Sequence, residues 1–548
     1  MSNPILLIHS DDTIVVALKS LEAGQVVTID NSTITLLDDI PAKHKFARKA
    51  FASGEEIRMY GVVVGTATCT ISLGERIHTS NIMHATTKAA ISKSISHWSP
   101  PDVSRWQNAT FQGYHRANGE VGTANYWIVV PLVFCENRNL ATIEKAFLKQ
   151  LGYDQSDPYE SYVRELLQAH QDNTDLDAVP QIPSTQNQTP SERPFKNVDG
   201  IKFLAHTLGC GHSNTDAESL AGLLAGYIAH PNVAGATVLS LGCQKTQVEH
   251  LQSEIEKRDP NCAKPIHYFE QQKCVSEKQM LSDAIRETVK GLITANTLTR
   301  QPAPLSKLTL GVECGGSDGF SGISANPLLG AVSDRIVALG GKVMLAEFPE
   351  LCGAEQNLVD RCSTPEIARR FLELMNNYSL HAAKVGSAFK DNPSPGNIAD
   401  GLTTDAIKSC GAARKGGTSP VVDVLDYTQR VSKNGLSLLC TPGNDVESTT
   451  ALTGSGANLL LFSTGLGTPT GNPIAPTLKI SSNTSLATRL PDIIDFDAGP
   501  IIDGTTTPES LANSLLEQII ATASGTYKPH AVRLDQNDFI PWKRGVSL

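Results

Sequence analysis

The sequence predicts an α/β protein, with a small β-domain at the amino end followed by domains of mostly parallel sheet. Three observations carry this. Residues 1–90 hold runs rich in Val, Ile and Thr (TIVVAL, QVVTID, STITLL, RMYGVVVGTATCTISL) with turn residues between them, the pattern of short strands in a compact β-domain. From Gly113 onward strand-like and helix-like stretches alternate, which favours parallel strands with helices on the sheet faces. Four cysteines each close a short apolar run: YWIVVPLVF runs into Cys135, IKFLAHTLG into Cys210, ATVLSLG into Cys243 and LTLGVE into Cys314. Ligands of open α/β sheets bind outside the carboxyl ends of the strands, so four thiols at such ends can converge on one metal.

The elements follow in order. After the β-domain, residues 91–112 (ISKSISHWSPPDVSRWQNATFQ) carry a Pro-Pro pair and little periodicity and read as a linker. A middle α/β domain spans 113–302, with helices expected at 140–151, 216–229, 247–257 and 277–295. Within it, 172–197 is rich in Pro, Gln and Ser and reads as a polar surface loop. A C-terminal α/β domain spans 303–548, opening a new series of strand, glycine loop and helix, with a further helix at 365–377.

A chain of 548 residues exceeds one ordinary core, and 40% hydrophobic with 19% charged residues suits a folded protein. The net charge of −10, with no dense basic cluster, argues against nucleic acid or an anionic membrane as partner. The opening MSNPILLIHSDDT has no basic region ahead of a long apolar core, and no apolar run reaches membrane-spanning length. Eleven cysteines, an odd number, suit a reducing compartment, so a cytoplasmic location is expected.

The densest local motif is ECGGSDGFSGISANPLLG at 313–330. Its glycines let backbone N–H groups approach a ligand, and its Ser, Asp and Asn residues suit the carboxylate and hydroxyls of a small acid. It is not a phosphate loop, because no GxxxxGK[ST] occurs. NPSPGN at 392–397, TPGND at 441–445 and STGLGTPTG at 463–471 are further glycine turns beside apolar runs. The β-domain offers His9 beside Asp11 and Asp12, His44 beside Lys45, and His78; imidazole suits proton transfer and binding of iron or manganese. His206 and His212 flank Cys210, and Glu347 and Glu350 follow a strand-like run where a carboxylate base can stand. The cysteines have a plainer reading as small buried hydrophobes, and the lack of CxxC pairs argues against a zinc finger while leaving mononuclear iron or an iron–sulfur site open.

These motifs, with IHSDDTIVVAL near the start, AKHKFA at 42–47, MYGVVVGTA at 59–67, GYHRANGEVGTAN at 113–125, HPNVAGA at 230–236, APTLKISSN at 475–483 and IDFDAG at 494–499, resemble the altronate/galactarate dehydratase family over nearly the whole chain. The resemblance implies a β-clip (SAF-like) domain ahead of the α/β domains. It implies a hydro-lyase dependent on divalent iron, with manganese or an iron–sulfur cluster as alternatives. The substrate would be an aldonate such as D-altronate and the product a 2-keto-3-deoxy acid. On the matching motifs it implies catalytic roles for His44, Lys45, His78 and Glu347. Substrate contacts would come from Arg116, Asn125, Ser317, Asp318, Ser321, Asn326, Asn397 and Thr464, and metal ligands from Cys135, Cys210, Cys243, Cys314 and His9. The expected partner is the small sugar acid, with a homo-oligomer as the expected assembly.

Against the family pattern, Ser80 stands for the second His of an HxH, Ala124 for Arg, Gln244 for Glu, Ile398 for Lys, Asp400 for Gly and Leu466 for Arg. Two readings follow. Either the altered charges tune a working dehydratase to a different acid, or the chain is a weak or inactive relative that keeps the fold, and the metal, for binding or regulation.

Overall fold

The computed structural model describes residues 3–30, 32–91, 98–153, 158–181 and 193–548. Residues 92–97 of the expected linker and 182–192 of the expected polar loop lie outside them. Nine short strands between Ile5 and Met83 build the amino-terminal unit as three small antiparallel sheets. Their pairing alternates buried and exposed positions, as in Val26–Ile29 and Glu56–Met59.

The two larger sheets are parallel. The first runs Gly200–Phe203, Tyr126–Pro131, Val233–Ser240, Ile266–Glu270 in spatial order. The second has seven strands in the order Val421–Leu425, Gly435–Leu439, Lys342–Leu345, Thr309–Cys314, Leu459–Thr464, Thr477–Ser481, Phe496–Asp497. Thr309–Cys314 is wholly buried, as a central parallel strand covered on both faces must be. The chain steps to one side of it for Lys342–Leu345 and returns on the other for Leu459–Thr464. A reversal of this kind marks the carboxyl ends of the strands as the place where open α/β sheets bind ligands, and Cys314 is the last strand residue there.

A small antiparallel sheet joins the two, pairing Thr110–His115 with Gln301–Pro304 and Val121–Gly122. The expected linker therefore ends in a strand. The middle domain also packs through helix Asn214–Ala229, buried almost all round, against helix Asp445–Gly454. Gly226 meets the Gly454 carbonyl so closely that a side chain at 226 would clash with it. Tyr227 donates to the Thr450 carbonyl at 3.3 Å across the same contact.

The amino-terminal unit sits on the C-terminal domain, and their apolar residues form one continuous core. Lys45 Nζ donates to the Gly401 carbonyl at 2.7 Å, and Thr404 Oγ1 donates to the Val64 carbonyl at 2.9 Å. Among the described residues no helix is long and apolar enough to cross a membrane.

Two expectations about the cysteines change. The strand ahead of Cys210 stops at Phe203, because His206 turns inward: its Nε2 lies 3.0 Å or less from a carbonyl (Pro131 O, 2.9 Å) and its Nδ1 accepts the Leu208 amide. Cys135, Cys210 and Cys243 belong to the edge of the four-stranded sheet and are exposed, whereas Cys314 belongs to the seven-stranded sheet and is buried.

Candidate active site

At the carboxyl edge of the seven-stranded sheet, two strand ends, a helix and the turn after it place one cluster of ionisable groups. Glu313 and Cys314 close the central strand. Glu347 and Glu350 follow Lys342–Leu345 and lie at the turn Phe348–Leu351. Lys415 precedes Val421–Leu425, and Lys408 lies on helix Asp405–Ala413. Lys415 Nζ donates to Cys314 Sγ at 2.9 Å and to Glu347 Oε2 at 3.2 Å. Lys408 Nζ donates to Glu350 Oε1 and to Asn392 Oδ1, both at 2.6 Å. Cys314 Sγ is 3.7 Å from Glu350 Oε2 and 4.0 Å from Glu347 Oε2. Ser448 Oγ donates to Glu313 Oε2 at 2.5 Å.

Glu347 is strained as well as buried. Its φ of 65° is left-handed, which a side chain with Cβ disfavours, and the Thr441 hydroxyl holds its amide at 2.8 Å. Burial and the neighbouring Glu313 and Glu350 charges push its carboxyl well above the usual range, which favours the neutral acid. Burial works against Glu350 too, but Lys408 and Lys415 hold it below the usual range, as a carboxylate. Burial would lower Lys415, yet Cys314, Glu347, Glu313 and Glu350 together keep it an ammonium. Burial pushes the Cys314 thiol up to about 11, against the pull of Lys415. A carboxyl that favours its neutral form, a carboxylate and a fixed cation thus stand together, an arrangement able to move protons and stabilise developing negative charge.

The glycine-rich loop forms the next wall. Asp318, wholly buried, accepts through Oδ1 from Ser321 N and Oγ, Phe320 N and Ser482 Oγ. Asn397 Nδ2 donates to the Ser317 carbonyl at 2.8 Å. Ser463 Oγ donates to Asn326 Oδ1 at 2.6 Å, and Thr464 Oγ1 accepts the Gly467 and Thr468 amides. Ser317, Asp318, Ser321, Asn326, Asn397 and Thr464 are therefore gathered at this edge, with their polar atoms largely engaged in shaping it.

Of the other expected residues, His44 and Lys45 border this edge, beside Ala399, Gly401 and Asp318, and the rest lie elsewhere. Asn125 immediately precedes strand Tyr126–Pro131, so it and Arg116 stand at the opposite, amino edge of their sheet, bonded to each other at 3.0 Å. His44 is engaged at both ring nitrogens, by the Ala399 carbonyl and Arg76, each at 3.0 Å. Lys45 is wholly buried against Gly401, and burial lowers its ammonium to about 7. His78 Nδ1 pairs with Ser80 Oγ at 2.5 Å, and His9 is half exposed with Nδ1 accepting the Asp11 amide. Among the described residues, the groups of three or more metal-competent donors within 4.8 Å of one another are Cys314–Glu347–Glu350 and His84–Cys352–Asp405; neither contains Cys135, Cys210, Cys243 or His9.

Three family models cover the chain in succession: the SAF domain of altronate/galactarate dehydratase over 3–85, the second domain of D-galactarate dehydratase/altronate hydrolase over 113–296, and the C-terminal domain of D-galactarate/altronate dehydratase over 305–547. The chain belongs to the altronate/galactarate dehydratase family. It is 34% identical to altronate dehydratase of Escherichia coli (strain K12) over 99% of both chains, and 32% identical to altronate dehydratase of Bacillus subtilis (strain 168), again over 99% of both. It is 30% identical to galactarate dehydratase (L-threo-forming) of Escherichia coli (strain K12), over 95% of this chain and 93% of that one. The chain is accordingly an enzyme of the hydro-lyase class with an N-terminal SAF domain.

Against this family background two departures have a local account. Asp400 forms an ion pair with Lys43 at 2.9 Å. Gln244 accepts the Gly242 amide and donates to Ser240 Oγ and Thr246 O; a glutamate carboxylate could accept from the Ser240 hydroxyl but could not bond the Thr246 carbonyl.

Lys479 lies wholly buried at the same sheet, with its Nζ unpartnered and 3.5 Å from the Phe462 ring centroid. Burial lowers its ammonium to about 7 despite Asp445 and Asp495. Below pH 7 the folded chain must charge a buried amine, whereas between about 7 and 10.5 the unfolded chain alone binds the proton. Lys479→Met should therefore stabilise the protein by about 2 kcal/mol or more at pH 7 and below. The gain should shrink as pH rises toward 10.5, and urea unfolding at pH 6.5 and 9.5 measures it. A gain that grew with pH would contradict this account.

Proposed function

We propose that the chain removes water from an aldonate such as D-altronate, giving a 2-keto-3-deoxy acid, at the cluster of Cys314, Glu347, Glu350 and Lys415. The observation that carries this reading is the buried Glu347 carboxyl, its acidity weakened by its surroundings, held 3.2 Å from Lys415 Nζ beside Glu350, which Lys408 pairs at 2.6 Å. Relatives named for altronate and galactarate support the substrate class. Eleven free cysteines support a reducing, cytoplasmic setting.

In this mechanism Glu350 accepts the proton α to the substrate carboxylate. Lys415 faces the negative charge that develops on the enediolate oxygens. Glu347 gives its proton to the departing β-hydroxyl, which leaves as water, and the enol becomes the keto acid. The glycine-rich loop holds the hydroxyls.

The residues also fit a divalent cation. Cys314 Sγ and oxygens of Glu347 and Glu350 lie within 4.8 Å of one another, and Glu347 Oε1 is buried without a partner. With Cys314 and Glu347 deprotonated, the thiolate and two carboxylates would suit iron more than magnesium, the ion then standing in for the Glu347 proton. When bound, iron would supply Lewis acidity toward the substrate's carboxylate.

Anaerobically purified protein, assayed with added Fe(II) on D-altronate and a panel of aldonic and aldaric acids, should form a 2-keto-3-deoxy acid. Glu347→Gln should lower kcat at least a hundredfold. No keto acid from any member of the panel, with folded and iron-loaded protein, would sink the reading.

A further inference from the structure

We propose that His84, Cys352 and Asp405 form a second metal site, for zinc or a similar borderline divalent ion, that clips the amino-terminal domain to the loop and helix behind the candidate active site. The three offer one nitrogen, one sulfur and one oxygen within 4.8 Å of one another. They come from elements far apart in the chain. His84 follows Ile82–Met83, the last strand of the amino-terminal unit. Cys352 directly follows the turn Phe348–Leu351, which carries Glu350. Asp405 opens helix Asp405–Ala413, which carries Lys408.

One detail points to a cation. Asp405 is only 1% exposed, and its Oδ2 has no hydrogen-bond partner, while its carboxyl receives Ser409 Oγ at 3.3 Å and lies beside the Cys352 thiol. A buried carboxylate oxygen without a donor is costly, and a metal ion would satisfy it. The Ala406 amide donates to His84 Nδ1 at 3.3 Å, a long bond that a metal ion at this nitrogen would replace. The close approach is built into the backbone. Gly353 has φ +98°, and a Cβ there would lie 3.0 Å from Thr86 Cγ2 and 3.1 Å from Ala406 Cβ. Three chain segments meet at this point because residue 353 has no side chain.

The donor set fits the chemistry of zinc, which takes Cys, His and carboxylate ligands in tetrahedral sites and leaves a fourth position for water. Its donors are separate from Cys314, Glu347 and Glu350. The ion would nevertheless tie together the two elements bridged by the Lys408–Glu350 pair, so its occupancy would stiffen that part of the active-site wall. The inference does not rest on the dehydratase reading.

The test uses the full chain with Cys314→Ser, so that the thiol of the catalytic cluster is gone, after chelator treatment. Titrated with Co(II), it should bind one equivalent with thiolate-to-cobalt absorption and tetrahedral bands in the visible, and Zn(II) should displace it. Adding Cys352→Ser or Asp405→Asn should remove the bands, and His84→Ala should weaken binding at least tenfold, with circular dichroism unchanged. Zinc should raise the Tm of the parent but not of the Cys352→Ser protein. Absence of cobalt binding, or bands that persist without Cys352, overturns the proposal. If the added substitutions prevent folding, zinc-edge X-ray absorption on the parent decides. One sulfur at about 2.3 Å among nitrogen and oxygen neighbours supports it. No sulfur, or two or more, overturns it.

Discussion

Lys415→Gln is expected to lower kcat on an accepted sugar acid by about a thousandfold or more, the scale on which loss of a buried charge-stabilising group acts. Lys415 Nζ is the only described cation in contact with both Cys314 Sγ and Glu347 Oε2, at 2.9 and 3.2 Å. Its side chain is 1% exposed, so no water replaces it without rearrangement. Glutamine keeps a donor and most of the length but removes the charge that must meet the enediolate. The effect should fall on kcat more than on KM, because that charge appears only after proton removal. Lys415→Arg should recover little, since a planar guanidinium does not fit a point-charge site among three buried carboxyls. Steady-state kinetics on each folded variant provide the measurement. A kcat within tenfold of wild type for Lys415→Gln would place the chemistry elsewhere.

Lys415 was also the hardest site residue to find from sequence. It lies 101 positions beyond Cys314 in an unremarkable RKGGTS stretch, and only the reversal of strand order brings the two together. Glu347 and Glu350 were legible because they follow an apolar run, and the carboxyl end of a parallel strand is where ligands bind. The same rule explains why Asn125 stands apart: it precedes its strand and so marks its amino edge, and Arg116, just after strand Thr110–His115, is bonded to it there. The expected helix at 277–295 coincides with Glu277–Ala295, whose apolar stripe faces the sheet. Helix Asp445–Gly454, by contrast, is buried nearly all round and small-residue-rich, so no amphipathic pattern announced it. In the run before Cys210, alternation of apolar residues imitated a strand past Phe203, while the inward bonds of His206 end it. The three small sheets of the amino-terminal unit followed from Val, Ile and Thr runs, but its firm seat on the C-terminal domain did not, because the apolar residues that form one core with that domain also read as the β-domain's own core.

Asp318→Ala is expected to cost about 3–5 kcal/mol of stability, as removal of one partner from a buried ionic network does. Asp318 is 0% exposed, and its carboxylate joins three parts of the fold. Oδ1 closes the glycine-rich loop by accepting from Ser321 N at 2.9 Å, Ser321 Oγ at 2.8 Å and Phe320 N at 3.2 Å. It also takes Ser482 Oγ at 2.8 Å from beyond the next strand. Oδ2 faces Lys43 Nζ at 3.1 Å, from the amino-terminal domain. Lys43 reaches it from a left-handed backbone, φ 74°, a strain of about 1 kcal/mol or more that this contact and Asp400 offset. Asp318→Asn keeps the shape but must turn an NH2 group toward either the Lys43 ammonium or the Oδ1 donors, so it should recover less than half of the loss. Because the carboxylate anchors both domains, the substitution should also speed hydrogen exchange at 43–45 and 399–401 before global unfolding. Urea unfolding and exchange mass spectrometry check both effects. A loss below 1 kcal/mol would mean that Lys43 and the loop donors find other partners, and that the docked amino-terminal domain is held by its apolar contacts alone.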